Sequence, residues 1–159
     1  FYEVNELFLS QYTYKIDSKG RISVPADFRI SVNTKFFNGI IAFRSYKFKA
    51  LGALDFEKMK KIADSLANLD FFSESKNDIT TSILSDSYKL PFDSEGRISL
   101  PNELLKFANI NTSATFVGRG SSFQIWNPKS FKDYLQRTRI NIKKKKLSLL
   151  VKNSNNEKK

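Results

Sequence analysis

One nine-residue stretch occurs twice in this chain: Asp17-Ser18-Lys19-Gly20-Arg21-Ile22-Ser23-Val24-Pro25 returns 76 residues later as Asp93-Ser94-Glu95-Gly96-Arg97-Ile98-Ser99-Leu100-Pro101, identical at seven of nine positions. An acid, a glycine and an arginine at fixed spacing can do three kinds of work. As architecture, Asp bonds its own following backbone to close a turn, Gly accepts positive φ, and Arg is a solvated strand residue pairing with the Asp. As catalysis, two Asp-Ser-x-Gly turns in repeated halves offer the paired carboxylates of an aspartic protease, which share one proton. The spacing speaks against that use. Those enzymes carry Asp-Ser/Thr-Gly without the intervening residue, and an Arg four positions on favours two ionised carboxylates. As nucleic-acid recognition, a two-stranded ribbon fits the B-DNA major groove, and Arg bonds bidentately to guanine or to phosphate. Asp would then orient the Arg or hold the loop, Gly would let the backbone approach phosphate, and Ser18, Ser94 and Lys19 would add phosphate contacts.

Composition narrows the choice. The chain has no Cys and no His, which removes disulfides, thiol nucleophiles, histidine bases and the usual zinc ligand sets. No metal or cofactor is expected, and no enzyme. No apolar run approaches a membrane span and the first residues lack a secretion signal, so a cytoplasmic protein without a membrane partner is the expectation. The net charge of +11 is unevenly spread: Gln136 to Lys159 hold nine Lys or Arg against Glu157, a net +8. If the partner is DNA, such a tail would add salt-sensitive, sequence-independent affinity, and specific function must be sought in the rest of the chain.

These turns need elements to hold them. Tyr12 to Ile16 alternate like a strand, Arg-Ile-Ser-Val forms a second strand after each turn, and the following Pro suits the start of a short helix, Ala26 to about Val32 and Asn102 to about Ala108. The repeated unit is therefore strand, tight turn, strand, helix. Further strands are expected at Gly39 to Phe43, Thr115 to Gly118 and Phe123 to Trp126, the last two as a hairpin around Arg119-Gly120-Ser121. Asp55 is a predicted N-cap for a helix with apolar positions Phe56, Met59, Ile62, Ala63, Leu66 and Leu69. A weaker helix covers about Lys76 to Leu84. A last helix starts at Asn127-Pro128, with Phe131, Tyr134 and Leu135 on one face. Beyond Arg139 the pattern dissolves into Lys, Asn and Ser, so a mobile basic tail is expected, with helix at most over Leu147 to Val151.

Asp-x-Lys-Gly-Arg-x-x-x-Pro in the first half, its Asp-x-x-Gly-Arg echo in the second, and Phe123-Gln124-Ile125-Trp126 before the last helix resemble the MraZ family. These are bacterial transcriptional regulators of the AbrB/SpoVT-like swapped-hairpin class. The resemblance runs from about Phe8 through Tyr134. It implies an α+β, β-rich fold in which two interlocked swapped-hairpin halves form a small pseudo-twofold barrel with flanking helices. The corresponding organisation is a first repeat over 8–54, a helical linker over 55–84, a second repeat with closing helix over 85–139, and a basic, disordered tail over 140–159. The resemblance further implies a ring-shaped homo-oligomer, octamer or dodecamer, binding double-stranded DNA at tandem repeats upstream of the division and cell-wall gene cluster, its own gene included, usually to repress transcription. Its DNA-binding residues carry over as Asp17, Lys19, Gly20 and Arg21 in the first half and Asp93, Gly96 and Arg97 in the second. Arg29 matches a family arginine near that surface and reads equally as an exposed helix charge.

The chain departs from the family pattern at three places. Ser10 stands where the family has Gly after Phe-x, which bears on strand bend and ring size. Lys89 and Pro91 occupy the strand before Asp93, which places Pro91 at an edge or bulge. Glu95 replaces the lysine of the first copy, and a carboxylate facing phosphates is repelled, so the first half is expected to make the closer DNA contact. The competing reading is a ring-forming scaffold whose tail binds anions without preference.

Overall fold

The computed structural model describes residues 7–68 and 74–156. The chain divides into two compact units, one ending at Asn127 and the other beginning at Pro128. In the first, the repeat is visible as a doubled order of elements: β1 (Gln11–Lys15), β2 (Arg21–Ser23), α1 (Ala26–Ser31), β3 (Gly39–Arg44) and β4 (Leu51–Leu54), then β5 (Tyr88–Pro91), β6 (Arg97–Ser99), α4 (Asn102–Phe107), β7 (Ser113–Gly118) and β8 (Phe123–Trp126). Between the halves lie α2 (Phe56–Ala67) and α3 (Glu74–Leu84). The fold class is α+β, as expected.

The halves interlock by exchanging strands. An antiparallel six-stranded sheet runs β1-β7-β8-β4-β3-β5, and β2 pairs with β6 in a separate two-stranded ribbon. Each half's hairpin (β3–β4, β7–β8) thus receives the first strand of the other half, β1 on β7 and β5 on β3. The pseudo-twofold passes between β4 and β8 and between β2 and β6, the two pairings of a strand with its own counterpart. A closed barrel is not what forms. The sheet is open, with β1 and β5 as its edges. Closure would require β1 and β5 to pair, but each turns away at its Asp into β2 or β6, and those strands pair with each other instead. For the same reason the Asp-Ser-x-Gly turn links strands without making a hairpin ladder.

Burial of an aromatic nest drives the packing. Phe8, Phe28, Phe116 and Phe123 are at most 1% exposed, with ring centroids 5.0 Å apart for Phe8–Phe123 and for Phe28–Phe123. Such tilted pairs contribute beyond their buried area. Phe28 comes from α1 and Phe116 from β7, so the nest joins first half to second. A smaller cluster of Ile41, Leu54 and Met59 seats α2 on the sheet. Asp55 is the N-cap predicted for α2: its fully buried carboxylate accepts from the Lys58 N–H at 2.8 Å and the Asn33 N–H at 3.2 Å. Leu69, assigned to the same helix from sequence, lies outside the described residues. β4 is four buried residues without alternation, so no period of two marks it in the sequence.

Local chemistry explains the other boundaries. Pro25 and Pro101 sit one position earlier than expected, as N-caps with extended ψ of 138° and 145°. α4 ends in a Schellman motif, with Asn109 at φ 52°, Ile110 N–H bonded to the Leu105 carbonyl at 2.9 Å and Asn109 N–H to that of Lys106 at 3.2 Å; buried Ile110 completes it. Ser10 has φ 71°, the left-handed conformation that glycine takes without strain, while its carbonyl accepts from Gly118 N–H at 2.8 Å. Pro91 lies on edge strand β5, as its missing N–H requires. Lys89 stacks its ammonium over Phe37 and Phe56, 5.0 and 5.2 Å from the ring centroids, a cation–π use of a side chain with no acidic partner in the ladder.

The second unit is α5 (Pro128–Asn156). It begins at the expected proline but does not end near Arg139, so residues 140–156 of the predicted disordered tail are helical. No Gly or Pro follows Pro128, and Lys and Leu are good helix formers; a run of like charges alone does not break a helix. Among the described residues no helix is long and apolar enough to cross a membrane.

Candidate nucleic-acid interface

Both copies of the repeated turn have the same hydrogen-bond plan. In the first, Asp17 is the opening residue of a β-turn, its carbonyl accepting from Gly20 N–H at 3.0 Å, with Gly at the last position where such turns favour it. Its Oδ1 accepts from the N–H groups of Lys19 and Arg21, both at 2.9 Å, and its Oδ2 from Arg21 Nε at 2.6 Å. In the second, Asp93 accepts from Gly96, Glu95 and Arg97 N–H at 3.1, 2.9 and 2.9 Å and from Arg97 Nε at 2.8 Å. Gly20 and Gly96 have φ of 78° and 73°. One carboxylate therefore closes the turn with one oxygen and aims an arginine with the other.

This plan fixes ionisation as well as shape. The Arg21 N–H lowers the pKa of Asp17 most, partial desolvation opposes it, and the Arg21 guanidinium and Lys19 N–H lower it further. Asp93 is lowered in the same way by Arg97 and Glu95. Bonding to Asp93 in turn raises the Arg97 pKa, against a smaller desolvation effect. Two carboxylates each held ionised by its own arginine are the opposite of a proton-sharing protease dyad. Among the described residues no acidic cluster could hold a metal ion.

The ribbon places the two arginines together. In the β2–β6 ladder Ile22 faces Ile98, both 1% exposed, while Arg21 faces Ser99 and Ser23 faces Arg97. Side chains alternate across a strand, so the isoleucines anchor one face in the core and Arg21, Ser23, Arg97 and Ser99 share the other. Arg21 and Arg97 are diagonal neighbours, about 7–8 Å apart between Cα atoms by ladder geometry. The turns brace each other through backbone bonds, Val24 N–H to the Gly96 carbonyl at 3.1 Å and Leu100 N–H to the Gly20 carbonyl at 2.9 Å. Ser18 and Ser94 are exposed at the tips beside Lys19 and Glu95.

The two ends are nevertheless unequal. Glu95 Oε2 lies 3.4 Å from Arg97 Nη1, so the second arginine faces two carboxylates, and its side chain is 26% exposed against 35% for Arg21. Lys19, at the equivalent position, adds a positive charge instead. Arg29 is not a free helix charge: it donates through Nη1 to the Val24 carbonyl, and its side chain lies where a Cβ on Gly96 would fall, 2.6 Å from Nε. The first half thus lends the second turn a second cation beside Arg97. Its counterpart 76 residues on is Leu105, 3.8 Å from the Cβ position of Gly20, so the first turn receives an apolar neighbour.

Two site-supporting pairs are missed by motif reasoning. Tyr12 donates to Asp27 at 3.0 Å and Tyr88 to Glu103 at 2.5 Å, tying each edge strand to the helix that follows its turn; these hydrogen bonds are the largest cause of the raised pKa of both phenols. A signal for them exists, since both members recur at the same 76-residue spacing as the turn.

Comparison with known proteins gives a consistent picture. Residues 83–152 match the family model described as "MraZ protein, putative antitoxin-like". The transcriptional regulator MraZ of Pelagibacter ubique is 45% identical over 139 residues, covering 87% of this chain and 87% of its own. Those of Rickettsia canadensis and Rickettsia bellii are each 38% identical over 143 and 144 residues, covering 90% of this chain and 96% of theirs.

Proposed function

This chain belongs to the MraZ family, and from that premise we propose that it is a DNA-binding transcriptional regulator that reads duplex DNA with the outward face of the β2–β6 ribbon and its two turns. The observation that carries the reading is the placement of Arg21 and Arg97 on one face of a two-stranded ribbon, each aimed by its own Asp. A ribbon of that width enters a major groove, and a pre-aimed arginine loses less entropy on bonding guanine or phosphate. In this reading Arg21 and Arg97 contact bases, Lys19, Ser18 and Ser94 contact phosphate, Gly20 and Gly96 let the backbone approach, and Arg29 supports the second turn.

The finer reading follows the family pattern. The protein is a repressor of the division and cell-wall gene cluster, acting at tandem repeats upstream of its own gene, in the cytoplasm at the nucleoid. It works as a ring-shaped homo-oligomer, octamer or dodecamer, with repeats at 8–54 and 85–139 joined by the helical segment 55–84. It is not an enzyme.

A gel shift with the DNA upstream of its own gene, at ~50 mM and ~200 mM salt, tests the reading against a scaffold with indifferent anion binding. Sequence preference retained at the higher salt supports the regulator, and uniform loss supports the scaffold. Arg21→Ala and Arg97→Ala should each weaken binding to the preferred duplex by about five- to a hundredfold. Equal losses on random DNA would make them phosphate contacts only.

A further inference from the structure

The α5 helix carries a charge pattern of its own. From Tyr134 to Asn156 it has Arg137, Arg139, the run Lys143 to Lys146 and Lys152, with no acidic residue, and residues 143–146 are all exposed. At 3.6 residues per turn, Arg139, Lys143 and Lys146 form one stripe at i, i+4 and i+7, and Arg137 with Lys144 a second at i and i+7. Like charges so spaced repel and weaken the helix that bears them. A polyanion lying along the helix removes that repulsion, so the helix is best matched to an extended anionic partner.

The distribution of apolar side chains selects the partner. A helix that lies on a bilayer needs one apolar face. Here the exposed apolar residues Ile140, Ile142, Leu150 and Val151 spread over about half of the circumference at about 100° per residue, and Arg139, Lys143 and Lys146 point out among them, so no face is apolar. The cations likewise occupy every side, since four consecutive lysines sweep about 300°. A flat headgroup plane meets one side of such a cylinder, whereas phosphates on both walls of a nucleic-acid groove meet several.

We infer that α5 is a second contact for duplex DNA, independent of sequence, made by its lysines and arginines with phosphates. The inference rests on the DNA-binding reading above for the identity of the polyanion, but not on the two turns. Its test uses the full chain and fluorescence anisotropy against two duplexes, one from upstream of its own gene and one of random sequence, across ~50 to 300 mM KCl. Lys143→Gln, Lys144→Gln, Lys145→Gln and Lys146→Gln together remove charge while keeping a good helix former. The slope of log affinity against log salt should fall by about 2 to 4 on both duplexes, at about 0.9 for each phosphate no longer neutralised, while the preference between duplexes is unchanged. The four Lys→Arg changes should keep the wild-type slope. An unchanged slope in the Gln variant, or an Arg variant that behaves like it, overturns the inference. So does loss of binding to phosphatidylserine vesicles in the Gln variant with the duplex slope intact. If the wild type shows no preference between duplexes yet the Gln variant flattens the slope, the helix contact stands and the regulator reading falls. A retained preference with unchanged slope sinks only the helix contact.

Discussion

Glu95 stands where the first copy of the turn has Lys19, and its carboxylate lies 3.4 Å from Arg97 Nη1, so the change Glu95→Gln acts twice. It removes a negative charge from the surface proposed to face phosphates, and it leaves Arg97 with Asp93 as its ion-pair partner. Two unit charges about 6 Å apart in water interact by about 0.7 kcal/mol, which is about threefold in affinity. Release of the Nη1 contact adds to this in the same direction. Glu95→Gln should therefore tighten DNA binding by about three- to tenfold at ~100 mM salt. Lys19→Ala should do the reverse, weakening binding about threefold and lowering the salt slope by about 0.9. The assay is anisotropy with one duplex at several salt concentrations, beside a thermal melt. Glu95 is 68% exposed, so its ion pair adds little to folding and the melting temperature should hardly move. Weaker binding by Glu95→Gln, or no loss with Lys19→Ala, would refute the claim that the first turn makes the closer contact.

Ser10→Gly relieves a left-handed φ of 71° and should stabilise the fold by about 0.5–1 kcal/mol after glycine's entropy cost; a lower melting temperature would show that the Ser10 side chain makes a contact worth more than the strain. Gly96→Ala puts a Cβ 2.6 Å from Arg29 Nε at φ 73°, whereas Gly20→Ala meets the Leu100 carbonyl at 3.1 Å. Both should destabilise the protein in urea titrations, but only the Gly96→Ala loss should shrink in an Arg29→Ala background, and equal coupling for the two would contradict the geometry. Asp17 and Asp93 have folded pKa values lowered by the N–H groups and guanidinium they bind. Their contribution to stability is present above the unfolded value of about 3.9 and is lost as pH falls through the lower folded value. Urea midpoints between pH 5 and pH 2.5 should fall less steeply for Asp17→Asn with Asp93→Asn than for the wild type.

Turn chemistry is readable because it is local. Asp, Gly and Arg at fixed spacing specify a β-turn, and every predicted bond partner of Asp17 and Asp93 lies within four residues. The strand exchange is not readable from periodicity, because nothing in Tyr12 to Lys15 says that its partner is Phe116 rather than Ile22; only the family resemblance points there. Arg29 is a similar case: helix spacing places it on α1, but the reach to Gly96 exists only after β2 and β6 pair. At α5 the Lys run suggests a disordered tail, although the absence of helix breakers and the helix propensity of its residues favour the opposite outcome, which is the one that forms.

Exchanged strands have a consequence for how recognition can evolve. A true homodimer built this way would carry identical turns and would be bound to palindromic targets, since protein symmetry is mirrored in the site it reads. Here the two copies sit on one chain, so each can change without changing the other. Lys19 against Glu95, and Arg29 against Leu105, are such changes. On the proposed DNA reading, Lys19 against Glu95 gives the ribbon a stronger and a weaker end, and a reader with two different ends has a polarity. A reader of that kind would tell a site from its inversion, as an array of repeats pointing the same way demands and a palindrome does not.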